Sequence, residues 1–255
     1  MIKNRIVQTL IDNIEAVRTL PPYEHTPKSS NPLLPISTNS IKKMTLVLDL
    51  DETLVHCSLT PFPGYTEIVE LSTSNGDSSP SHSIKIYVSY RPYLFEFLEY
   101  CSQHFEIVLF TAGDQQYADS ILMRIDPQNR YFTHRLYRQH CVPVTTSTQA
   151  QLYVKDLSAL GRNLSHTLII DNSITAFGFH LDSGIPIPSF YGQANDSEFF
   201  GVLNILDAIL RFSSLPECRE AAFDVRNNLK EIFNIESQVF PKLPREVAGQ
   251  VIQTE

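Results

Sequence analysis

The stretch LVLDLDETLVH, residues 46–56, ends an apolar run with two carboxylates one residue apart, Asp49 and Asp51. A short apolar run bounded in this way is typical of a strand buried on both faces. Because side chains alternate along a strand, Asp49 and Asp51 point the same way and Leu50 points back into the core. Two like charges at a buried strand end are costly unless a cation balances them. We therefore expect a bound cation at this point.

Strand and helix patterns alternate along the rest of the chain. The predicted strands are 45–50, a hairpin of 67–71 and 84–89, then 105–110, 135–141 and 168–171. Helices are predicted after Pro92, across 117–125, over 155–160 with a stop at Gly161, after Asp196 and over about 217–233. Buried strands separated by helices indicate an α/β fold, with a Rossmann-like parallel sheet, helices on both faces and a small β-hairpin insertion. The segments that separate Asp49, Thr111 and Lys155 leave no room for a cap domain.

The chain is predicted to divide into three regions. Residues 1–41 are expected to form an N-terminal helix and a linker, because Ile6, Leu10, Ile14 and Val17 recur at helical spacing and a segment rich in proline and serine follows them. The proline- and serine-rich segment could instead be an arm that lies over the core. The folded domain is expected over 42–240, and residues 241–255 are expected to form a C-terminal tail.

Composition limits the classes of partner. The net charge of −8 disfavours direct nucleic-acid binding, and no apolar run approaches the roughly 20 residues of a membrane helix. The four cysteines lie far apart, as in free thiols of a reducing compartment, so we expect an intracellular protein. We also expect a monomer. Residues 124–162 carry six basic and two acidic side chains, which suits either a site for a phosphorylated ligand or a solvated surface.

Three predicted strands end in polar motifs, DLDET at 49–53, TAG at 111–113 and DNS at 171–173. The carboxyl ends of parallel strands meet at one crevice, so these motifs are expected to converge there with Lys155 close by. The converging side chains would be Asp49, Asp51, Thr53, Thr111, Asp171 and Asn172. Oxygen donors of this kind favour Mg²⁺, and its candidate ligands are Asp49, Asp51, Asp171 and Asn172.

The set suits phosphoryl transfer, which needs positioning and charge neutralisation. Asp49 would attack the phosphorus, and Asp51 would protonate the leaving alcohol and then activate water. Thr111 would hydrogen-bond the phosphoryl oxygens, while Lys155 would offset their charge and orient Asp49. Thr111 also fits a plainer role as a helix N-cap.

Six blocks in order, DLDETLVH, RPYLFEFL, LFTAG with QQYAD, LYRQHC, YVKDLSALGR and IIDNS, resemble the haloacid-dehalogenase superfamily. Within it they resemble the branch of RNA polymerase II C-terminal-domain (CTD) phosphatases, the small CTD phosphatase and Dullard group. The resemblance spans about Thr45 to Phe212. It implies the superfamily's fold and a Mg²⁺-dependent protein serine/threonine phosphatase that forms an aspartyl-phosphate. Its substrate would be the RNA polymerase II CTD or another phosphoprotein. The resemblance alone suggests the nucleus as the place of action, with the cytoplasm as the alternative.

The resemblance also implies residue roles. Asp49 would be the nucleophile, Asp51 the acid/base and a backbone metal ligand, Asn172 a metal ligand, and Thr111 and Lys155 would support the phosphate and the nucleophile. The candidate phosphate or substrate contacts are Thr53, Tyr117, Arg138, Leu59 and Phe190. Core packing for Tyr117 and a surface ion pair for Arg138 remain alternatives.

The chain departs from the family pattern near the substrate. Leu59 stands where the family has a phenylalanine, and Phe190 stands where it has the tryptophan of a Ser-Trp-Phe segment. These changes alter the family's pocket for a substrate proline, so another phosphoprotein is an open alternative to the polymerase CTD. A metabolite phosphatase or phosphotransferase and a non-catalytic phosphopeptide-binding module are the alternative functions.

Overall fold

The computed structural model describes residues 17, 20–23, 31–36, 44–73, 82–145 and 151–211. In chain order the strands and α-helices are β1 (Thr45–Leu48), β2 (Val55–Ser58), β3 (Glu67–Thr73), β4 (His82–Tyr90), α1 (Leu94–His104), β5 (Glu106–Phe110), α2 (Gln115–Ile125), β6 (His134–Leu136), β7 (Val142–Thr145), β8 (Gln151–Val154), β9 (Thr167–Asp171), β10 (Gly184–Pro186) and α3 (Glu198–Leu210). Short 3-10 helices cover Arg138–His140, Leu157–Leu160, Leu164–His166, Ile174–Phe177 and Leu181–Ser183. Four predictions lie outside these residues: the helical repeat of Ile6, Leu10 and Ile14, the hairpin tip, the helix at 217–233 and the tail at 241–255.

The centre of the fold is a five-stranded parallel sheet in the order β10-β9-β1-β5-β6. Strand β1 is its middle strand, and Leu48 lies level with Leu109 of β5 and with Ile170 of β9. The chain moves outward from β1 in one direction through β5 and β6 and in the other through β9 and β10. The order therefore reverses beside β1, and a ligand crevice is expected at the carboxyl ends of β1, β5 and β9.

Both faces of this sheet are buried, as its continuous apolar strands predict. Leu46 and Leu48 of β1 face the main core, which the three α-helices cover. On the opposite face, Val47 packs in a second core with apolar residues of the 3-10 helices, and with Val17 and Leu34. The predicted helices on both faces are therefore confirmed, with short 3-10 helices rather than α-helices on the second face.

An antiparallel sheet of β2, β4 and β3 is inserted between β1 and α1. The predicted hairpin is confirmed, since β3 and β4 pair from Glu67 opposite Val88 to Thr73 opposite His82. Strand β2 was not predicted, because the residues before it read as part of the DLDET turn.

The region between α2 and β9 differs most from the prediction. The predicted strand at 135–141 ends at Leu136, because the next residues form a 3-10 turn in which the Cys141 N–H donates to the Arg138 carbonyl at 3.0 Å. Strands β7 and β8 form an antiparallel ribbon that was predicted as a loop. The predicted helix at 155–160 is a shorter 3-10 helix, Leu157–Leu160, and it ends as expected at Gly161, whose φ is +69°.

The described cysteines are free thiols: Cys101 and Cys141 are buried and Cys57 is half-buried. This confirms the prediction for three of the four cysteines. In the part of the chain that the structure describes, no helix combines the length and apolar character needed to cross a bilayer.

Candidate active site

Lys155 joins the ends of two neighbouring strands. Its ammonium donates to Asp49 Oδ1 and to Asp171 Oδ2, each at 2.6 Å, and all three side chains are buried. Burial alone would lower the pKa of Lys155, but the carboxylates of Asp171 and Asp49 outweigh it and raise the pKa above its ordinary value. The Lys155 N–H donates to the Ala176 carbonyl at 2.6 Å, so the backbone holds the ammonium in place. Lys155 is therefore a fixed cation beside Asp49.

Asp51 follows the same strand end as Asp49 and lies close to this group. Tyr117 donates a short hydrogen bond to Asp51 Oδ1, and Thr111 Oγ1 donates to Oδ2 at 3.5 Å. Burial, and then the charge of Asp49, raise the pKa of Asp51 to about 7, although the Tyr117 hydroxyl opposes the shift. A carboxyl group with this pKa can both give and take a proton at neutral pH.

Asn172 is held by two hydroxyl groups. Its side-chain oxygen accepts from Thr53 Oγ1 at 3.2 Å, and its amide nitrogen donates to Ser189 Oγ at 3.0 Å. The Asn172 backbone N–H also donates to Thr53 Oγ1. Thr53 is fully buried, so in this structure it supports Asn172 from behind and is not open to a phosphate as the sequence suggested.

These groups line a cleft of about 540 Å³. Its walls include eight of the residues proposed from the sequence: Asp49, Asp51, Thr111, Tyr117, Arg138, Lys155, Asp171 and Asn172. Thr53, Leu59 and Phe190 are not among the lining residues. The strand ends therefore converge as predicted, and the outer substrate candidates lie elsewhere.

Arg138 is the residue of the basic segment 124–162 that reaches the cleft together with Lys155. Its Nε donates to the Ala112 carbonyl at 2.6 Å, and its guanidinium lies 5.3 Å from the centre of the Tyr153 ring. The other four arginines form ion pairs away from the cleft: Arg124 with Glu67, Arg130 with Glu99, Arg135 with Asp126 and Arg162 with Glu106. The six basic residues thus form no single site for a phosphorylated ligand.

Leu59 and Phe190 have opposite exposures. Leu59 is 70% exposed, whereas Phe190 is 1% exposed and lies under the Arg91 guanidinium, 5.5 Å from it. A buried ring cannot line a surface pocket, so Phe190 is not part of the cleft surface. The neighbouring Tyr191 is exposed and packs edge-on against His56, with the ring centres 5.4 Å apart.

Arg91 is an organising residue that the sequence analysis did not identify. It is buried and forms a bidentate ion pair with Asp196 at 2.8 and 2.9 Å. It also donates to the carbonyls of Thr53 and Pro188 at 3.0 and 2.8 Å. Arg91 therefore connects the DLDET turn to the loop that carries Ser189. The available signal was an arginine at the end of an alternating strand pattern, directly before Pro92.

The donors at the cleft fit a hard cation such as Mg²⁺ with a small protein ligand set. No group of three His, Cys, Asp or Glu side chains that could hold a metal occurs among the described residues. Both oxygens of Asp171 are engaged, one by Lys155 and the other by the Ser173 N–H at 2.8 Å. Asp171 is therefore better placed to hold Lys155 than to bind a metal, which leaves oxygen donors from Asp49, Asp51 and Asn172.

The sequence of residues 44–216 matches the NLI interacting factor-like phosphatase family. The chain belongs to this family. The match covers most of the chain and includes every strand and α-helix described above, so the family resemblance inferred from the six sequence blocks is confirmed.

The chain is also similar in sequence to several proteins named as CTD phosphatases or CTD phosphatase-like proteins. The chain is 41% identical over 198 residues to CTD small phosphatase-like protein 3 of Caenorhabditis elegans, and the aligned region covers 78% of this chain and 65% of that protein. It is 34% identical over 210 residues to CTD nuclear envelope phosphatase 1 of Xenopus tropicalis, covering 78% of this chain and 81% of that protein. Other relatives at 38% and 39% identity are matched over only 32% and 34% of their length. A solved structure of Fcp1, an essential RNA polymerase II CTD phosphatase, gives a TM-score of 0.47 at 20% identity, covering 79% of this chain and 57% of that one.

Proposed function

We propose that this chain is a Mg²⁺-dependent protein serine/threonine phosphatase that uses Asp49 as its nucleophile. The observation that carries the proposal is the clamp of Lys155 on Asp49 Oδ1 at the edge of an open cleft. None of the described residues donates a hydrogen bond to the other Asp49 oxygen. That oxygen is therefore available to attack a phosphorus atom that enters the cleft.

Asp49, the backbone carbonyl of Asp51 and the side-chain oxygen of Asn172 would hold the Mg²⁺ ion. When bound, the ion supplies positive charge that neutralises the phosphoryl oxygens. Thr53 and Ser189 keep the Asn172 amide in place for this role.

The first half of the reaction transfers the phosphoryl group to the protein. Asp49 forms a bond to phosphorus while the bond between phosphorus and the substrate hydroxyl oxygen breaks. The carboxyl proton of Asp51 passes to the leaving oxygen, which departs as a serine or threonine side chain. Lys155 holds Asp49 in the attacking orientation, and the Thr111 hydroxyl can turn from Asp51 to a phosphoryl oxygen.

The second half returns the protein to its starting state. Asp51, now a carboxylate, takes a proton from a water molecule as that water attacks the phosphorus of the aspartyl-phosphate. The bond between phosphorus and Asp49 breaks, and inorganic phosphate leaves. A pKa of about 7 for Asp51 suits both proton transfers.

The shape of the cleft favours a phosphorylated protein segment over a small metabolite. Its walls are strand ends, the start of α2 and the β7–β8 ribbon, and the described residues place no domain above it. An extended peptide can therefore lie across the opening and present a phosphorylated side chain to Asp49. Arg138 at the rim offers a cation to the peptide. The names of the relatives support a phosphoprotein substrate, either the RNA polymerase II CTD or another protein of the nucleus or cytoplasm.

The test is hydrolysis of p-nitrophenyl phosphate by the wild-type chain and by Asp49→Asn, with Mg²⁺ or with EDTA. We expect turnover only in the wild type with Mg²⁺. Turnover in EDTA, or full activity of Asp49→Asn, would contradict the mechanism. A comparison of phosphopeptides with phosphorylated metabolites then tests the substrate class, and binding of phosphopeptides without any turnover would favour a non-catalytic module.

A further inference from the structure

The described part of the N-terminal region packs on the catalytic domain. We call residues 17, 20–23 and 31–36 the N-terminal strap. Val17 and Leu34 are buried in the core on the second face of the parallel sheet. Leu20 and Tyr23 are buried in a third cluster with residues of the β7–β8 ribbon and with Phe179. The strap therefore covers a face that the α-helices leave open, which agrees with the expected alternative of an arm lying over the core rather than a free linker.

Two glycines make room for the strap. A Cβ atom on Gly178 would lie 2.2 Å from Leu20 Cδ1, and one on Gly161 would lie 2.6 Å from Pro32 Cβ. Hydrogen bonds also join the two parts, since the Leu33 N–H donates to the Ala159 carbonyl at 2.7 Å. The strap thus contacts the chain closely along the segment that follows Lys155.

Tyr23 makes a side-chain polar contact between the strap and the segment that follows Lys155. Its hydroxyl lies 2.5 Å from Ser158 Oγ and 3.2 Å from Asp156 Oδ2. Asp156 also accepts from His180 Nε2 at 2.7 Å and from the Ser158 N–H at 3.0 Å. The ring of Tyr23 packs against Phe179, with the centres 5.2 Å apart. Three buried residues, Tyr23, Asp156 and His180, together with the exposed Ser158, therefore form a hydrogen-bond network that fixes the backbone at Asp156.

Asp156 is bonded directly to Lys155, whose ammonium orients the proposed nucleophile Asp49. A shift of the backbone at Asp156 would move this ammonium away from its two carboxylates. Displacement of a catalytic group by about 1 Å can cost on the order of a hundredfold in rate. The hydrogen bonds of Tyr23 and His180 to Asp156 oppose such a shift from outside the cleft.

We propose that Tyr23 is a positioning residue for Lys155, and that the N-terminal strap is part of the catalytic unit. This inference rests on the proposed phosphatase function. Tyr23 lies before residue 44, where the match to the family begins. The role therefore does not follow from the family's matched region.

The test removes one hydroxyl. Tyr23→Phe keeps the ring against Phe179 and removes the hydrogen bonds to Asp156 and Ser158. With p-nitrophenyl phosphate and Mg²⁺, we expect kcat to fall about fivefold, as for the loss of one net hydrogen bond, while KM stays at the wild-type value. Tyr100→Phe, which removes a hydroxyl bonded to Asp207 on the exposed surface, is the matched control and should keep the wild-type kcat.

A double-mutant cycle shows whether Tyr23 acts through Asp156. On an Asp156→Asn background, Tyr23→Phe should cause no further loss of kcat. All assays are run well below the melting temperature of each variant, so loss of folded protein does not contribute. If Tyr23→Phe does not fold, Asp156→Asn alone tests the link: the positioning role predicts a lower kcat at the wild-type KM, and a wild-type kcat would overturn it.

The outcomes separate the two proposals. An inactive wild-type chain would remove both. An active wild type together with a fully active Tyr23→Phe would remove only the positioning role. An equal loss of kcat on the wild-type and Asp156→Asn backgrounds would also overturn it, because Tyr23 would then act independently of Asp156.

Discussion

Replacing Lys155 with methionine removes the ammonium that separates Asp49 from Asp171. Both hydrogen bonds are 2.6 Å long, and the Lys155 side chain is 1% exposed. Methionine fills similar space without the charge. Removing one partner of a buried ion pair costs about 3–5 kcal/mol, because the remaining charges lose their compensation. We therefore expect a loss of stability in this range, measured by urea denaturation.

The size of this loss should depend on pH. Burial, and then the charge of Asp49, raise the pKa of Asp171 to about 7 even though Lys155 opposes the shift. Without Lys155 the pKa of Asp171 rises further, so the folded variant keeps a proton that the unfolded chain releases. Its stability is therefore greatest at low pH and falls as the pH increases towards the folded-state pKa. Lys155→Met should be closest to the wild type in stability near pH 6 and furthest from it near pH 8.

The same change should abolish most of the activity. Loss of one preorganised electrostatic contact to the reacting groups typically lowers kcat by about 10²–10³-fold. Hydrolysis of p-nitrophenyl phosphate measures this loss, and Lys85→Met, which removes an exposed lysine of β4, is the control. A Lys155→Met chain with the kcat and stability of the wild type would refute the role assigned to this clamp.

Three further changes test the structure. Arg91→Met should lower the free energy of unfolding by about 3–5 kcal/mol in a urea titration, because it leaves the Asp196 carboxylate without its ion-pair partner. The control Arg211→Met, on the exposed surface, should change the free energy of unfolding by less than about 0.5 kcal/mol. In EDTA the free energy of unfolding of the wild type should increase as the pH is lowered from about 8 to about 6, because Asp51 keeps its proton to a higher pH in the folded chain than in the unfolded chain. One titrating group such as Asp51 can contribute at most about 1.4 kcal/mol per pH unit. Asp51→Asn should show a shallower dependence, and an unchanged slope would contradict the raised pKa. Gly178→Ala should lower stability by about 1–3 kcal/mol because its Cβ meets the Leu20 side chain, and a wild-type melting curve would argue against a docked strap.

The parallel sheet was predictable because its evidence is local. β1, β5 and β9 are continuous apolar runs, and each is followed by a polar motif that ends the strand. Once the runs are taken as neighbouring parallel strands, Asp49, Thr111 and Asp171 must lie close together. The β7–β8 ribbon was not predictable in this way, because half-exposed segments such as Val142–Thr145, which contains a proline, carry little strand signal.

The rest of the site depends on contacts between distant parts of the chain. Thr53 is buried and donates a hydrogen bond to Asn172, which lies 119 residues away in the sequence. Phe190 is covered by Arg91, and Tyr23 reaches Asp156 across 133 residues. Sequence motifs propose which residues carry the chemistry, but the partners that hold those residues in place come from packing that no local pattern encodes.

The most direct test of the central claim is to find where the phosphoryl group goes. The wild-type chain with Mg²⁺ and a radiolabelled phosphopeptide is quenched in acid within the first turnover, digested and mapped. The mechanism predicts label on the peptide that contains Asp49, sensitive to hydroxylamine as an acyl phosphate, and no label in Asp49→Asn. Label on another residue, or turnover by Asp49→Asn at the wild-type rate, would contradict it.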